Sequence, residues 1–209
     1  MIPAYPVYLF DIDGTLVDSA PDICGAAAEV MHANALAPVP FEILRSYIGL
    51  PLRHMFVDLL PRHPSETIDL LIQQYTPAFR GRKHGQTRLF PGVREGLSQL
   101  GGRKSTATTK QTAGTRLVLE HFGLIDYFDH IQGSDDMAYK PEPDVILAAL
   151  AALDADPRDC LLVGDSAADM EAGRRAGVRT CAVRYGYGAP QALARWTPDY
   201  WVSDLRELL

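Results

Sequence analysis

An apolar run in VYLFDIDGTLVDS, residues 7–19, leads straight into two aspartates, Asp11 and Asp13, followed by Gly14 and Thr15. On an extended segment residues i and i+2 face the same way, so the two carboxylates share one patch. At about 7 Å apart they repel by roughly 2 kcal/mol at an effective dielectric near 20. A cation at that patch removes the penalty. Three later segments carry residues of matching chemistry: Thr108-Thr109-Lys110, Lys140 in YKPEP, and Asp165 with Asp169 in GDSAADM. A hard divalent cation with oxygen ligands neutralises such acids, and Mg²⁺ binds through one or two carboxylates together with phosphate oxygens and water. The two lysines and two threonine hydroxyls match the charge and acceptor oxygens of a phosphoryl group.

For these residues to meet, elements far apart in the chain must end at one place. From about residue 86 onward, short β-like runs alternate with helical patterns. The runs are 105–109 (STATT), the region 130–134 (HIQGS), 160–166 (CLLVGDS), 180–186 (TCAVRYG) and 199–203 (DYWVS). Between them, in 144–153, Val145, Ile146, Ala149, Leu150 and Leu153 recur at helical spacing behind Pro143. Gly101, Gly123 and Gly177 fall where helix C-caps are expected. This alternation predicts right-handed βαβ units in an α/β fold with a doubly wound, mostly parallel, Rossmann-like sheet. In such sheets ligands bind beyond the C-terminal strand ends, where Asp11, Asp13, Thr108, Asp165 and Asp169 then fall.

Residues 17–85 have a different texture. Ser19 with Asp22 reads as a capping-box start, and Ile68, Leu71, Ile72, Tyr75 and Phe79 form one helical stripe behind Ser65. Prolines at 38, 40, 51, 61 and 64 cut the middle into short helices. The expected organisation is a sheet core from residues 1–16 and 86–209, with a small helical domain, 17–85, inserted after the first strand.

Composition narrows the class. The 209 residues are 47% hydrophobic and 22% charged, as in an ordinary globular protein. A net charge of -6 argues against a general nucleic-acid binder. No apolar run has membrane-spanning length. Three cysteines without metal spacing suit a reducing compartment, so a cytoplasmic protein without a membrane partner is expected, as monomer or homodimer.

The ordered set DIDGT, Thr-Lys, KPEP and GDSAAD, with FPGV at 90–93 and AGVRTCAV near the fifth strand, resembles the haloacid dehalogenase-like hydrolase superfamily over nearly the whole chain. The insertion resembles its C1-type cap. That resemblance implies a Mg²⁺-dependent phosphatase for a small phosphorylated metabolite, 2-phosphoglycolate foremost. Asp11 would be the nucleophile that forms an aspartyl phosphate, and Asp13 the acid and then the base. Thr108 and Lys140 would serve the phosphoryl group, with Gly14 and Thr109 beside them. Asp11, Asp13 (through its carbonyl), Asp165 and Asp169 would hold the metal. Arg45 and Arg53, flanking IGLP, would be the cap's anion ligands. Thr109 stands where the family often has Asn, which leaves the phosphate ligand open between Thr108 and Thr109. A sugar phosphomutase of the β-phosphoglucomutase type would use the same nucleophile and acid. A phospho-accepting receiver domain shares Asp, Mg²⁺, Thr and Lys, but its paired acids come first and its accepting aspartate mid-chain, the reverse of the order here.

Overall fold

The computed structural model describes residues 2–209. In chain order the strands and α-helices are β1 (Val7–Phe10), β2 (Val17–Asp18), α1 (Ala20–Ala33), α2 (Phe41–Arg45), α3 (Leu52–Leu59), α4 (Ser65–Gly81), β3 (Arg88–Leu89), α5 (Val93–Gln99), β4 (Arg103–Thr106), α6 (Thr112–His121), α7 (Asp144–Ala152), β5 (Cys160–Gly164), α8 (Ala167–Ala176), β6 (Arg179–Val183), α9 (Pro190–Ala194) and β7 (Tyr200–Val202). The chain divides into two compact units: the residues up to Asp18 with Leu89–Leu209, and Ser19–Arg88.

The first unit is built on a five-stranded sheet in the order β4-β1-β5-β6-β7, and the pairings are parallel. Counted along the chain, these strands lie 2-1-3-4-5, so the connections reverse direction between β1 and β5. A doubly wound sheet opens its ligand crevice at such a point. The strand β1 is buried on both faces, as a central parallel strand is. Its side chains alternate: Tyr8 and Phe10 join one core with Leu161 and Val163, while Val7 and Leu9 join the other with Cys160 and Leu162. Burying each such side chain is worth about 1.5–3 kcal/mol. Against this apolar centre β4 reads RKST. The reason is its place at the sheet edge, where polar side chains find partners outside the ladder.

That edge explains a correction. Residues 130–134 do not form the expected strand; only an isolated bridge links Ser105 to His130. The Thr106 hydroxyl instead donates to the Gln132 carbonyl at 2.9 Å and accepts from its amide at 2.8 Å. The side chain takes the ladder's donor and acceptor, so no regular ladder forms. The second sheet strand likewise ends at Thr106 rather than continuing to 109. Gly177 caps α8 as expected, whereas the C-cap of α5 is Leu100 rather than Gly101. Cys24, Cys160 and Cys181 are free and buried. No described helix is long and apolar enough to cross a membrane.

In the second unit α1 and α3 pack on α4, around buried Met31, Leu44, Met55, Phe56, Ile68 and Leu71. Ser19 and Asp22 do not make the expected capping box, since no side chain caps α1. The Asp22 carboxylate is 1% exposed and reaches the far end of the unit. Its Oδ2 accepts from the Thr87 hydroxyl (2.7 Å), the Thr87 amide (2.8 Å) and the Gln86 amide (3.0 Å), and its Oδ1 from Arg82 Nε (3.3 Å). A buried charge needs several donors, and an N-cap supplies fewer. Burial opposes ionisation here, but the bonds from Thr87, Gln86 and Arg82 outweigh it and hold the carboxyl below its ordinary range. A depressed folded-state pKa contributes stability above the unfolded value near 4, and that contribution fades as pH falls through the folded value. Asp22→Asn is therefore expected to lose about 3 kcal/mol at pH 7, with the gap to wild type closing in acid. Urea denaturation at pH 7 and pH 3 checks it; equal midpoints at pH 7 exclude this role for Asp22.

Candidate active site

The site is assembled from loops at the C-terminal ends of β1, β4 and β5, all within the first unit. After β1 the backbone enters a tight turn in which the amides of Thr15, Leu16 and Val17 all point at the Ile12 carbonyl. Gly14 sits in that turn at φ 93°, and a Cβ there would lie 2.3 Å from the Asp165 carboxylate. Only glycine lets β1 and β5 bring their aspartates this close. At the end of β5, Asp165 accepts from the Thr15 hydroxyl (3.3 Å) and from the Tyr187 amide (2.7 Å). The second of these needs Gly186, where a Cβ would meet Asp165 Cβ at 2.2 Å.

Ser166 caps α8 in a reciprocal capping box with Asp169. Asp169 Oδ2 accepts from the Ser166 amide (3.0 Å) and hydroxyl (2.6 Å), while Asp169 Oδ1 lies 2.5 Å from Lys140 Nζ. Lys140 bridges the acids: its ammonium is 3.0 Å from Asp11 Oδ1 and donates to the Ala107 carbonyl at 3.0 Å. The ammonium meets Asp11 Oδ1 by distance without hydrogen-bond alignment, and that buried oxygen has no hydrogen-bond partner.

Burial is the main cause of the site's electrostatics. It pushes Asp11 up to about 6, with Lys140 pulling the other way and Asp169 adding to the rise. It pushes Asp165 up to about 8, reinforced by Asp169 and Asp11. Lys140 is held above its ordinary value, because Asp11 and Asp169 outweigh the effect of burial.

Most of the expected site residues come together here. Oxygens of Asp11, Asp165 and Asp169 all lie within 4.8 Å of one another. Thr108 is buried; its carbonyl accepts from Ser134 Oγ at 2.7 Å and its hydroxyl from the Lys110 amide at 3.3 Å. Thr109, next along the loop, is half-buried. The Asp13 carboxylate is not among those three, and its Oδ2 lies 2.9 Å from Lys110 Nζ. Arg45 and Arg53 belong to the other unit, where they pair with Glu42 and Asp69. Lys110, read from sequence as one of two lysines for a phosphoryl group, instead meets Asp13, while Thr15 and the Tyr187 amide were given no role by sequence. Tyr187 acts through its backbone, which leaves no signal in sequence.

Four carboxylates, Asp11, Asp13, Asp165 and Asp169, face two ammonium groups, Lys110 and Lys140. With all four acids ionised, two negative charges remain in an oxygen-only donor set, and one acid oxygen has no hydrogen-bond donor. A hard divalent cation fits those residues.

Comparison with known proteins follows the same lines. Residues 8–183 match the family model described as haloacid dehalogenase-like hydrolase. The phosphoglycolate phosphatase of Nitrosospira multiformis is 37% identical over 95% of this chain and 92% of its own length. The plasmid-borne phosphoglycolate phosphatase of Cupriavidus necator is 34% identical over 96% of this chain and 90% of its own. Among solved structures, a haloacid dehalogenase-like family hydrolase from Streptococcus pneumoniae superposes with a TM-score of 0.90 at 26% identity, covering 98% of this chain and 96% of that one. With its doubly wound core and the acids of β1 and β5 set at the point where the connections reverse, the chain belongs to the haloacid dehalogenase-like hydrolases.

Proposed function

We propose that this protein is a Mg²⁺-dependent phosphatase that hydrolyses 2-phosphoglycolate through a phosphoryl group carried on Asp11. Its family and its named relatives make it a phosphoric monoester hydrolase; the substrate, the metal and the covalent route are the proposal. The observation that carries it is the position of Asp11, which is buried between the Lys140 ammonium and the carboxylates of Asp165 and Asp169.

In the first step an Asp11 carboxylate oxygen forms a bond to phosphorus as the bond to the ester oxygen breaks. Asp13 gives its proton to that departing oxygen, so an alcohol leaves rather than an alkoxide. In the second step Asp13 takes a proton from water, the water oxygen bonds to phosphorus, and the bond to Asp11 breaks. Inorganic phosphate leaves and both aspartates return to their starting state. Lys140 holds Asp11 in place throughout and offsets charge on the transferring group. The hydroxyls of Thr108 and Thr109 donate to its oxygens, whereas the Gly14 amide is spent on the Val17 carbonyl at 2.9 Å, so Gly14 serves by the room it leaves rather than as the expected phosphate donor. Mg²⁺ would be held by the carboxylates of Asp11, Asp165 and Asp169 and by the Asp13 carbonyl, and when bound it supplies positive charge beside the phosphoryl oxygens.

We assign the helical unit Ser19–Arg88 to substrate selection, as the cap of this enzyme, and place the enzyme in the cytoplasm on the evidence of its three free cysteines. The deciding assay gives the purified protein and Mg²⁺ either 2-phosphoglycolate or β-glucose 1-phosphate with a trace of the 1,6-bisphosphate. Phosphate is expected from 2-phosphoglycolate, with no glucose 6-phosphate from the sugar. Rapid conversion to glucose 6-phosphate with little free phosphate replaces the phosphatase with a mutase. In the same panel, a chain with Ser19–Arg88 replaced by a short linker should discriminate poorly among esters; undiminished selectivity removes the assignment of that unit.

A further inference from the structure

The site has two lysines, and each sits on a different aspartate of the β1 loop. Lys140 serves Asp11, as described above. Lys110 Nζ lies 2.9 Å from Asp13 Oδ2, with the two side chains only 14% and 12% exposed. Asp13 is not among the three acids whose oxygens cluster, so the ion pair that Lys110 makes is with Asp13 and not with one of those three.

Lys110 is also held in place along its length. Its amide donates to the Thr108 hydroxyl at 3.3 Å, and its carbonyl accepts from the Ser134 amide at 3.1 Å. Its stem runs over α6, where a Cβ built on Gly114 would lie 3.4 Å from Lys110 Cγ. The backbone around Asp13 is fixed as well, through a bridge to Val17 and the turn amides converging on the Ile12 carbonyl. Between two anchored backbones, the ammonium bears directly on the torsions of the Asp13 side chain. An ammonium held on Oδ2 restrains those torsions and with them the direction of the other oxygen.

We propose that Lys110 is a positioning residue that acts through Asp13, aiming its carboxyl at the leaving oxygen and then at the attacking water. This rests on the reading of Asp13 as acid and base. The proton ledger is that of the two steps above: one proton passes from Asp13 to the ester oxygen as the bond to phosphorus breaks, and one returns from water as its oxygen bonds to phosphorus. Lys110 neither gains nor loses a proton. Misaimed proton transfer should weigh most where the leaving group needs the proton most. An alkoxide is a poor leaving group, whereas p-nitrophenolate departs without help.

The test compares kcat/KM, which reports the steps up to loss of the leaving group, for ethyl phosphate, p-nitrophenyl phosphate and 2-phosphoglycolate. Lys110→Met keeps the length of the stem and removes the charge. Its loss on ethyl phosphate should exceed its loss on p-nitrophenyl phosphate by about tenfold or more, and should fall in kcat rather than KM. Lys110→Arg should recover most of that difference, and the remaining aryl activity shows that the variants fold. Equal losses on the two esters overturn the proposal, because then Lys110 does not act through proton transfer. A loss confined to 2-phosphoglycolate also overturns it, and makes Lys110 a ligand for the substrate carboxylate. Asp13→Asn separates the proposal from the reading beneath it. If that variant has the leaving-group signature and Lys110→Met lacks it, the positioning role alone falls; if Asp13→Asn lacks it too, the acid-base reading of Asp13 falls with it.

Discussion

Asp11→Asn is expected to lose at least about 10⁴-fold in kcat against 2-phosphoglycolate, close to 5.5 kcal/mol of transition-state stabilisation. The amide keeps the shape of the carboxylate but is a far weaker nucleophile towards phosphorus, so the covalent route closes. The same substitution should leave the fold intact. Burial is the largest of the effects that push Asp11 up to about 6, which means that ionising it costs more in the folded protein than in the unfolded chain, although at pH 7 it is still mostly ionised. The Lys140 ammonium, 3.0 Å from Asp11 Oδ1, keeps the Asp169 carboxylate as its partner when Asp11 is neutral. A neutral side chain there removes a buried charge, and thermal unfolding of the variant at pH 7 should come no earlier than that of the wild type. Retention of a tenth of the wild-type kcat in a folded Asp11→Asn protein excludes Asp11 as the nucleophile.

Metal dependence should be complete and tied to pH. Chelation with EDTA should abolish turnover, and added Mg²⁺ should restore it. Burial, then Asp169 and Asp11, push Asp165 up to about 8, against the pull of the Tyr187 amide and of Lys140. Below that pH the metal-free site carries a proton on Asp165, which a cation must displace. The Mg²⁺ concentration for half-maximal activity should therefore fall about tenfold per pH unit as pH rises from about 6.5 to 7.5, and level off above about 8. The sign follows from the raised value: acid stabilises the protonated, metal-free site. Asp165→Ala should raise the Mg²⁺ requirement sharply and flatten this dependence. Full activity in metal-free buffer, or a requirement that does not change with pH, contradicts the site as described.

How much of this was legible in sequence depended on where each residue's partners lie. The strands β1 and β5 read clearly because burial on both faces demands continuous apolar runs. β4 was blurred because an edge strand can be polar, and residues 130–134 looked like a strand although Thr106 bonds Gln132 through its side chain. The acids and Lys140 could be found because each follows a strand end or stands in a distinctive motif. The role of Asp22 was hidden, since its donors lie up to 65 positions away, at Thr87. A local pattern, Ser19 with Asp22, suggested capping, and the buried carboxylate found more donors elsewhere. Nothing in the pattern around Tyr185 and Tyr187 marks them, yet the Tyr187 amide holds Asp165 and the two hydroxyls reach the Thr15 carbonyl and Asp18. Close approach of backbones is set by glycines, and a glycine does not announce in sequence which neighbour needs the space.

The central claim is that Asp11 carries the phosphoryl group, and chemical trapping tests it most directly. The enzyme is mixed with 2-phosphoglycolate and Mg²⁺, quenched during turnover and reduced with borohydride, which converts an aspartyl phosphate into homoserine. Peptide mass spectrometry should find homoserine at position 11, and only when substrate and metal are both present. Steady phosphate release with Asp11 unmodified at every quench time, or homoserine at another aspartate, would contradict it.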